Sequence, residues 1–97
     1  MKEKVFIEYD VAEGAVIRMI GLIERRGFRV ARIAMAEQPC GRRGTLALEI
    51  VAYDEGRDVE ILALQLGRLP GVNRISHEAA IAPGAFFQVA GNQEQAA

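Results

Sequence analysis

The sequence predicts an α+β fold of order βαββαβ, in which two helices cover one face of a four-stranded antiparallel sheet. Four segments carry apolar residues at alternate positions, which is typical of strands with one buried face. Two segments carry them at intervals of three and four, which is typical of amphipathic helices. If the crossovers are right-handed, the first and third strands lie at the centre of the sheet and the other two at its edges.

The first strand and the first helix have the clearest patterns. Alternate residues of segment 4–10 share an apolar face: Val5, Ile7 and Tyr9. The helix runs between Gly14 and Gly27, and its apolar stripe is Val16, Met19, Ile20 and Ile23. Gly27 suits the left-handed residue just past a helix end. Gly21 lies in mid-helix at a cost of about 1 kcal/mol, so a close backbone approach is expected there.

The remaining elements follow the same two periods. An extended run starts at Phe28 and Val30, and the second strand is expected to settle over residues 32–37 after an irregular entry or a bulge between Val30 and Ile33. Residues 45–53 form the third strand, with two alternating faces. The second helix has Val59, Leu62, Ala63, Leu66 and Leu69 on one stripe and ends at Pro70. Residues 72–78 make the last strand, which completes the split βαβ, or ferredoxin-like, sandwich.

Length and composition predict one domain over residues 1–78 and a tail over residues 79–97. The tail is rich in Ala, Gly and Gln around one apolar island, Phe86 to Val89. Two expectations stay open for it: it joins an interface, or it is disordered. A single cysteine excludes an internal disulfide and fits a cytoplasmic protein. No apolar run reaches membrane length, and a net charge of -1 does not favour nucleic acid as a partner.

The residues that could do chemistry are few, so no catalytic, metal or cofactor site is expected. Strand 45–53 is aliphatic and acidic, whereas RNA-recognition modules need aromatic residues there. The first loop lacks the two cysteines of a metal carrier. His77 is interpreted as an ordinary strand-end residue and Cys40, beside two arginines, as an incidental exposed thiol. Glu8 and Glu49 are expected on the face away from the helices, as solvated or interface carboxylates.

Segment 14–35 resembles the start of an ACT domain, a βαββαβ small-molecule-sensing module. More narrowly, it is similar to the small regulatory subunit of acetolactate (acetohydroxyacid) synthase, in its short form with a single ACT domain. The motif residues are Gly14-Ala15-Val16, Arg18, Gly21-Leu22 and Arg26-Gly27-Phe28. The likeness continues through Gln65-Leu66-Gly67-Arg68-Leu69 and Val72, and it covers about residues 5–78.

The resemblance implies a non-catalytic cytoplasmic subunit that dimerises and binds a thiamine-diphosphate-dependent large subunit in branched-chain amino acid biosynthesis. It also implies an amino acid site at the dimer seam, formed by Val11, Gly14 and Ala15 of one chain and Arg29 and Val30 of the other. Amino-acid-sensing members have Asn where this chain has Val11 and Arg29. Weak or absent valine binding is therefore expected, with any binding favouring a simple anion.

Exposed apolar residues predict assembly independently of the resemblance. Ile61 and Leu64 lie off the stripe of the second helix and should be exposed in an isolated domain. Two outcomes are open for them: they form an adhesive patch together with the apolar island of the tail or with a partner, or the tail folds back over them. The second strand is a free edge, and free edges invite pairing. The ACT resemblance implies a dimer through that edge and the first helix, with one continuous eight-stranded sheet. The candidate partner-interface residues are Ile33, Met35, Ile61, Leu64, Phe86 and Phe87. Two alternatives stay open: a free-standing ACT sensor of an amino acid or anion, and a purely structural dimerisation module.

Overall fold

A computed structural model describes residues 2–79, and the predicted order of elements is confirmed. The elements are β1 (Lys2–Asp10), α1 (Ala15–Arg25), β2 (Phe28–Glu37), β3 (Arg43–Ala52), α2 (Val59–Gly67) and β4 (Val72–Ala79). The expectations for the tail, including Phe86 and Phe87 as interface residues, fall on residues 80–97 and lie outside the described residues. Neither α1 nor α2 has the length and apolar character needed to cross a membrane.

The four strands form one antiparallel sheet in the order β2-β3-β1-β4. The predicted positions are therefore correct, with β1 and β3 at the centre and β2 and β4 at the edges. The register places Val5 opposite Leu48 and Ile7 opposite Leu46, so the apolar faces of the two central strands coincide. The fold class predicted from the sequence is confirmed.

The hydrophobic core lies between this shared face and the two helices. Its buried members from the helices are Ala15, Met19, Leu22, Ile23, Leu62 and Leu66. The predicted stripe of α1 is only partly right, because Leu22 is buried while Val16 and Ile20 are half-buried. Compared with the predicted stripe, the buried side of α1 is shifted towards Leu22, so Val16 and Ile20 lie at the margin of the core.

Glycines set the two ends of α1 as predicted, but the expectation for Gly21 was wrong. Gly14 is the N-cap residue with φ 77°, and Gly27 follows the helix with φ 91°. Around Gly21, a Cβ atom would meet no heavy atom within 4 Å outside its own helix. The close approach that would explain this glycine is therefore not made inside the described chain.

The second strand is already paired in the extended run that was predicted from Phe28, and the predicted irregularity after Val30 is a shift in register. β2 starts at Phe28, directly after Gly27, and its register with β3 shifts between Val30 and Arg32. The bulge restores the alternation, so Ile33 and Met35 lie on the helix side of the sheet opposite Leu48 and Leu46.

Candidate functional site

The first half of the predicted effector site is the turn between β1 and α1. Val11 is exposed, and its backbone N–H donates to the Arg42 carbonyl at 2.7 Å. That hydrogen bond holds the β2–β3 hairpin loop against the turn. Gly14 supplies no side-chain cap to α1, whose first turn contains no acidic residue. The partial positive charge of the helix N-terminus at Gly14 and Ala15 is therefore not offset by a local carboxylate in that turn.

The second half of the predicted site lies at the other end of the sheet. Arg29 pairs with Val51, which pairs in turn with Lys2 at the start of β1. The β1–α1 turn instead follows Asp10, at the end of that strand. Eight residues of strand separate the two ends, a distance of roughly 27 Å. Within one chain, Arg29 and Val30 therefore do not meet Val11, Gly14 and Ala15.

The carboxylate nearest the turn is already engaged. Asp10 Oδ1 accepts a hydrogen bond from Asn73 Nδ2 at 2.9 Å and lies 3.9 Å from Arg43 Nε. Sequence reasoning missed Asn73, because it comes from β4, at the far end of the sequence. The sequence places Asn73 near the start of the last strand, and the fold brings it to Asp10 where the register of β4 against β1 shifts between Glu8 and Tyr9.

Beside Asp10 lies an open groove with a positive lining. Gln38, Cys40, Arg42 and Arg43 complete its walls. Its two guanidinium groups outnumber its single carboxylate, which already contacts Arg43. The chemistry of this end of the domain suits an anion better than an ammonium group.

An apolar surface runs from α1 onto the free edge of the sheet. Arg18 lines a small cavity with Leu69 to Val72 on the β4 side, and Ile20 lies about 200° further round the helix. Ile20 therefore faces the β2 side, and the adjacent Ile17, which is 77% exposed, points away from the sheet. We call Ile17, Ile20, Ile33 and Met35 the edge patch; all are exposed apart from Ile20, which is half-buried.

A second apolar surface lies on α2. Ile61 and Leu64 are exposed, as the helical spacing predicts. They are three positions apart, so they are neighbours on the outer side of the helix. The buried side of the same helix carries Leu62 and Leu66, which pack in the core. The domain thus presents two separate apolar surfaces, one at the β2 edge and one on α2.

The groups considered for catalysis are not brought together. Ser76 pairs with Phe6 and His77 with Val5, so they lie on opposite faces of the sheet. Glu8 and Glu49 share the face away from the helices, but Glu8 is opposite Thr45 and Glu49 is opposite Lys4. Four residues along the strand separate the two carboxylates, so they do not form an acid–base pair.

The described chain is thus a four-stranded α+β sandwich with an uncapped helix end and two apolar surfaces. The family model of the ACT domain matches residues 11–75, about two thirds of the chain. The chain belongs to the ACT domain family, whose members are generally regulatory, ligand-binding modules. No curated protein sequence matches the chain.

Solved structures show the same fold at low sequence identity. The ACT domain from GTP pyrophosphokinase of Chlorobium tepidum is 15% identical with a TM-score of 0.66, over 80% of this chain and 97% of that one. The C-terminal domain of the MgtC protein from Mycobacterium tuberculosis is 17% identical with a TM-score of 0.62, over 81% and 86%. A formyltetrahydrofolate deformylase from Pseudomonas putida is 11% identical with a TM-score of 0.69, over 82% of this chain and 29% of that one.

Proposed function

We propose that this chain is a non-catalytic regulatory subunit that dimerises and binds the large subunit of a thiamine-diphosphate-dependent acetolactate synthase. The edge patch is the observation that carries the proposal. It combines a free strand edge with exposed apolar side chains of α1, the helix that bears most of the family-like motif. Gly21, a member of that motif, lies one helical turn from Ile17 and has open space around it within the described chain.

The proposed dimer joins two β2 edges about a two-fold axis, which makes one continuous eight-stranded sheet. Two-fold pairing of identical edges is antiparallel, so the start of β2 in one chain meets the end of β2 in its partner. The end of β2 leads into the hairpin loop that Arg42 holds against the β1–α1 turn. In this arrangement Arg29 and Val30 approach the partner's Val11, Gly14 and Ala15, which one chain keeps apart.

The seam so formed favours an anionic effector over a branched-chain amino acid. The helix N-terminus at Gly14 and the guanidinium of Arg29 both suit a carboxylate. Val11 offers no side-chain acceptor for an ammonium group. Asp10, the nearest carboxylate, already binds Asn73 and contacts Arg43. Valine, leucine and isoleucine should therefore bind weakly or not at all.

The α2 surface is proposed as the contact with the large subunit. In a dimer the edge patch is occupied by the second chain, whereas Ile61 and Leu64 remain exposed on a different element. Exposed apolar residues on a helix are a common anchor for a protein partner.

Co-purification tests this assignment. The tagged chain is co-expressed with the untagged acetolactate synthase large subunit of the same organism. We expect capture of the large subunit and increased acetolactate synthesis from pyruvate. The double change Ile61→Asp with Leu64→Asp should abolish capture, while the neighbouring change Glu60→Gln should preserve it. Failure of the unchanged chain to capture or activate the large subunit would rule out the proposal, and a thermal shift with anions or amino acids would then favour a free-standing sensor.

A further inference from the structure

The loop between β2 and β3 has a defined conformation. The Gly41 N–H donates to the Gln38 carbonyl at 2.8 Å, which closes a β-turn with Pro39 at its second position. The ring of Pro39 fixes its φ angle, and Gly41 has φ 71°, a conformation that favours glycine. The Gln38 N–H donates to the Arg43 carbonyl at 2.9 Å, which closes the hairpin below the turn. The backbone that carries the side chains of residues 38–43 is therefore held in place.

Two contacts fasten this loop to the end of β1. The Val11 N–H donates to the Arg42 carbonyl at 2.7 Å, and Arg43 Nε lies 3.9 Å from Asp10 Oδ1. Between the loop and the strand end lies a groove of about 520 Å³, a volume in the range of small-molecule sites. We call it the hairpin groove; its lining residues are Asp10, Gln38, Cys40, Arg42 and Arg43.

The hairpin groove has an excess of positive charge. Arg43 and Asp10 form an ion pair, but both side chains are more than half exposed, so water screens their attraction. The same Asp10 oxygen also accepts the hydrogen bond from Asn73. Arg42 has no ion-pair partner within residues 2–79. One guanidinium group of the groove is therefore unpaired and the other is weakly paired, so both can bind an anion.

We propose that the hairpin groove binds the phosphate group of a phosphorylated small molecule. A phosphate monoester carries nearly two negative charges at pH 7 and has three free oxygens. The guanidinium groups of Arg42 and Arg43, together with the amide of Gln38, supply donors for all three oxygens. A carboxylate has one charge and two oxygens, which a single arginine satisfies. The remaining volume of the groove accommodates the rest of the molecule.

The hairpin groove differs from the seam of the proposed dimer. All of its lining residues belong to one chain, whereas the seam needs Arg29 of a partner chain. Binding at the groove therefore requires neither a dimer nor a large subunit, and it is measured on this chain alone. Its outcome is independent of whether the chain captures a large subunit.

An NMR titration of the 97-residue chain tests the proposal, with inorganic phosphate, pyrophosphate and acetate added at constant ionic strength. We expect saturable shifts of the amide signals of Gln38, Cys40 and Gly41 with phosphate and, more tightly, with pyrophosphate. Acetate should give no saturation. Arg42→Gln should raise the Kd of pyrophosphate at least about tenfold, because it removes a charge-assisted hydrogen bond. Arg42→Gln with Arg43→Gln should abolish saturable binding.

Two arginine variants are controls with the same change in charge. Arg68→Gln, at the end of α2, and Arg29→Gln, at the seam, should both leave the Kd of pyrophosphate unchanged. Circular dichroism establishes that all variants are folded. An unchanged Kd in Arg42→Gln with Arg43→Gln, or acetate binding as tight as pyrophosphate binding, would overturn the proposal. A loss of binding in Arg29→Gln as large as in Arg42→Gln would also overturn it, because the anion would then lie in the seam.

Discussion

Truncating the edge patch should weaken the dimer by about three orders of magnitude. Ile33 and Met35 are 43% and 54% exposed in one chain, so about half of each side chain is available for burial. Complete burial of such a side chain stabilises by about 1.5–3 kcal/mol, so each should contribute about 1 kcal/mol at the interface. Because a two-fold axis repeats every contact, Ile33→Ala with Met35→Ala removes about 4 kcal/mol, roughly a thousandfold in Kd.

Sedimentation equilibrium over a concentration series measures this change. The matched control is Ile61→Ala with Leu64→Ala, which removes similar apolar area from residues that are 52% and 66% exposed. The control should leave the dimer constant unchanged, and thermal unfolding should show both variants folded. An unchanged protein that stays monomeric at tens of micromolar, or a control that dissociates as much as the edge variant, would refute the reasoning.

Three smaller predictions follow. Gly21→Ala should raise the free energy of unfolding of the monomer by about 1 kcal/mol, because alanine favours the helix and the space around Gly21 is open. The same change should weaken the dimer, as measured by sedimentation. Burial, and secondarily the charge of Glu37, raise the pKa of Tyr9 in the folded protein. The free energy of unfolding should therefore fall as pH rises above the pKa of tyrosine in the unfolded chain, which is near 10. Tyr9→Phe should remove this loss in alkaline denaturation curves. Val11→Asn with Arg29→Asn should create valine binding, measured by calorimetry on the dimer, and undetectable binding would show that other groups decide specificity.

The regular part of the fold could be predicted because each element carries its own local signal. Alternation on β1 and β3 separated the two faces of each strand, and the break in period after Val30 indicated the irregularity that appears as a shift in register. Gly27 marked the end of α1 because the conformation after the helix favours glycine. These signals act over a few residues, so a single sequence is enough to detect them.

The parts that were missed depend on contacts between distant segments. Asn73 and Asp10 are 63 positions apart in the sequence, and their hydrogen bond forms only once β4 lies beside β1. Leu22 was left out of the predicted stripe because the rotation of α1 is set by packing against the sheet. The burial of Lys4 opposes its residue type, and no local pattern predicts it. Gly21 was assigned a contact that the described chain does not contain.

The separation of the two halves of the effector site determines how the proposed dimer would work as a regulator. Since Arg29 and Val11 lie at opposite ends of one sheet, a ligand that needs both can bind only to paired chains. Because such a ligand binds only the dimer, it stabilises the dimer by about 2.7 kcal/mol when the free ligand concentration is a hundred times its Kd. The same coupling requires that dimerisation strengthen ligand binding by an equal factor. In the proposed dimer, a weak ligand would therefore shift assembly in addition to the contacts of the edge patch.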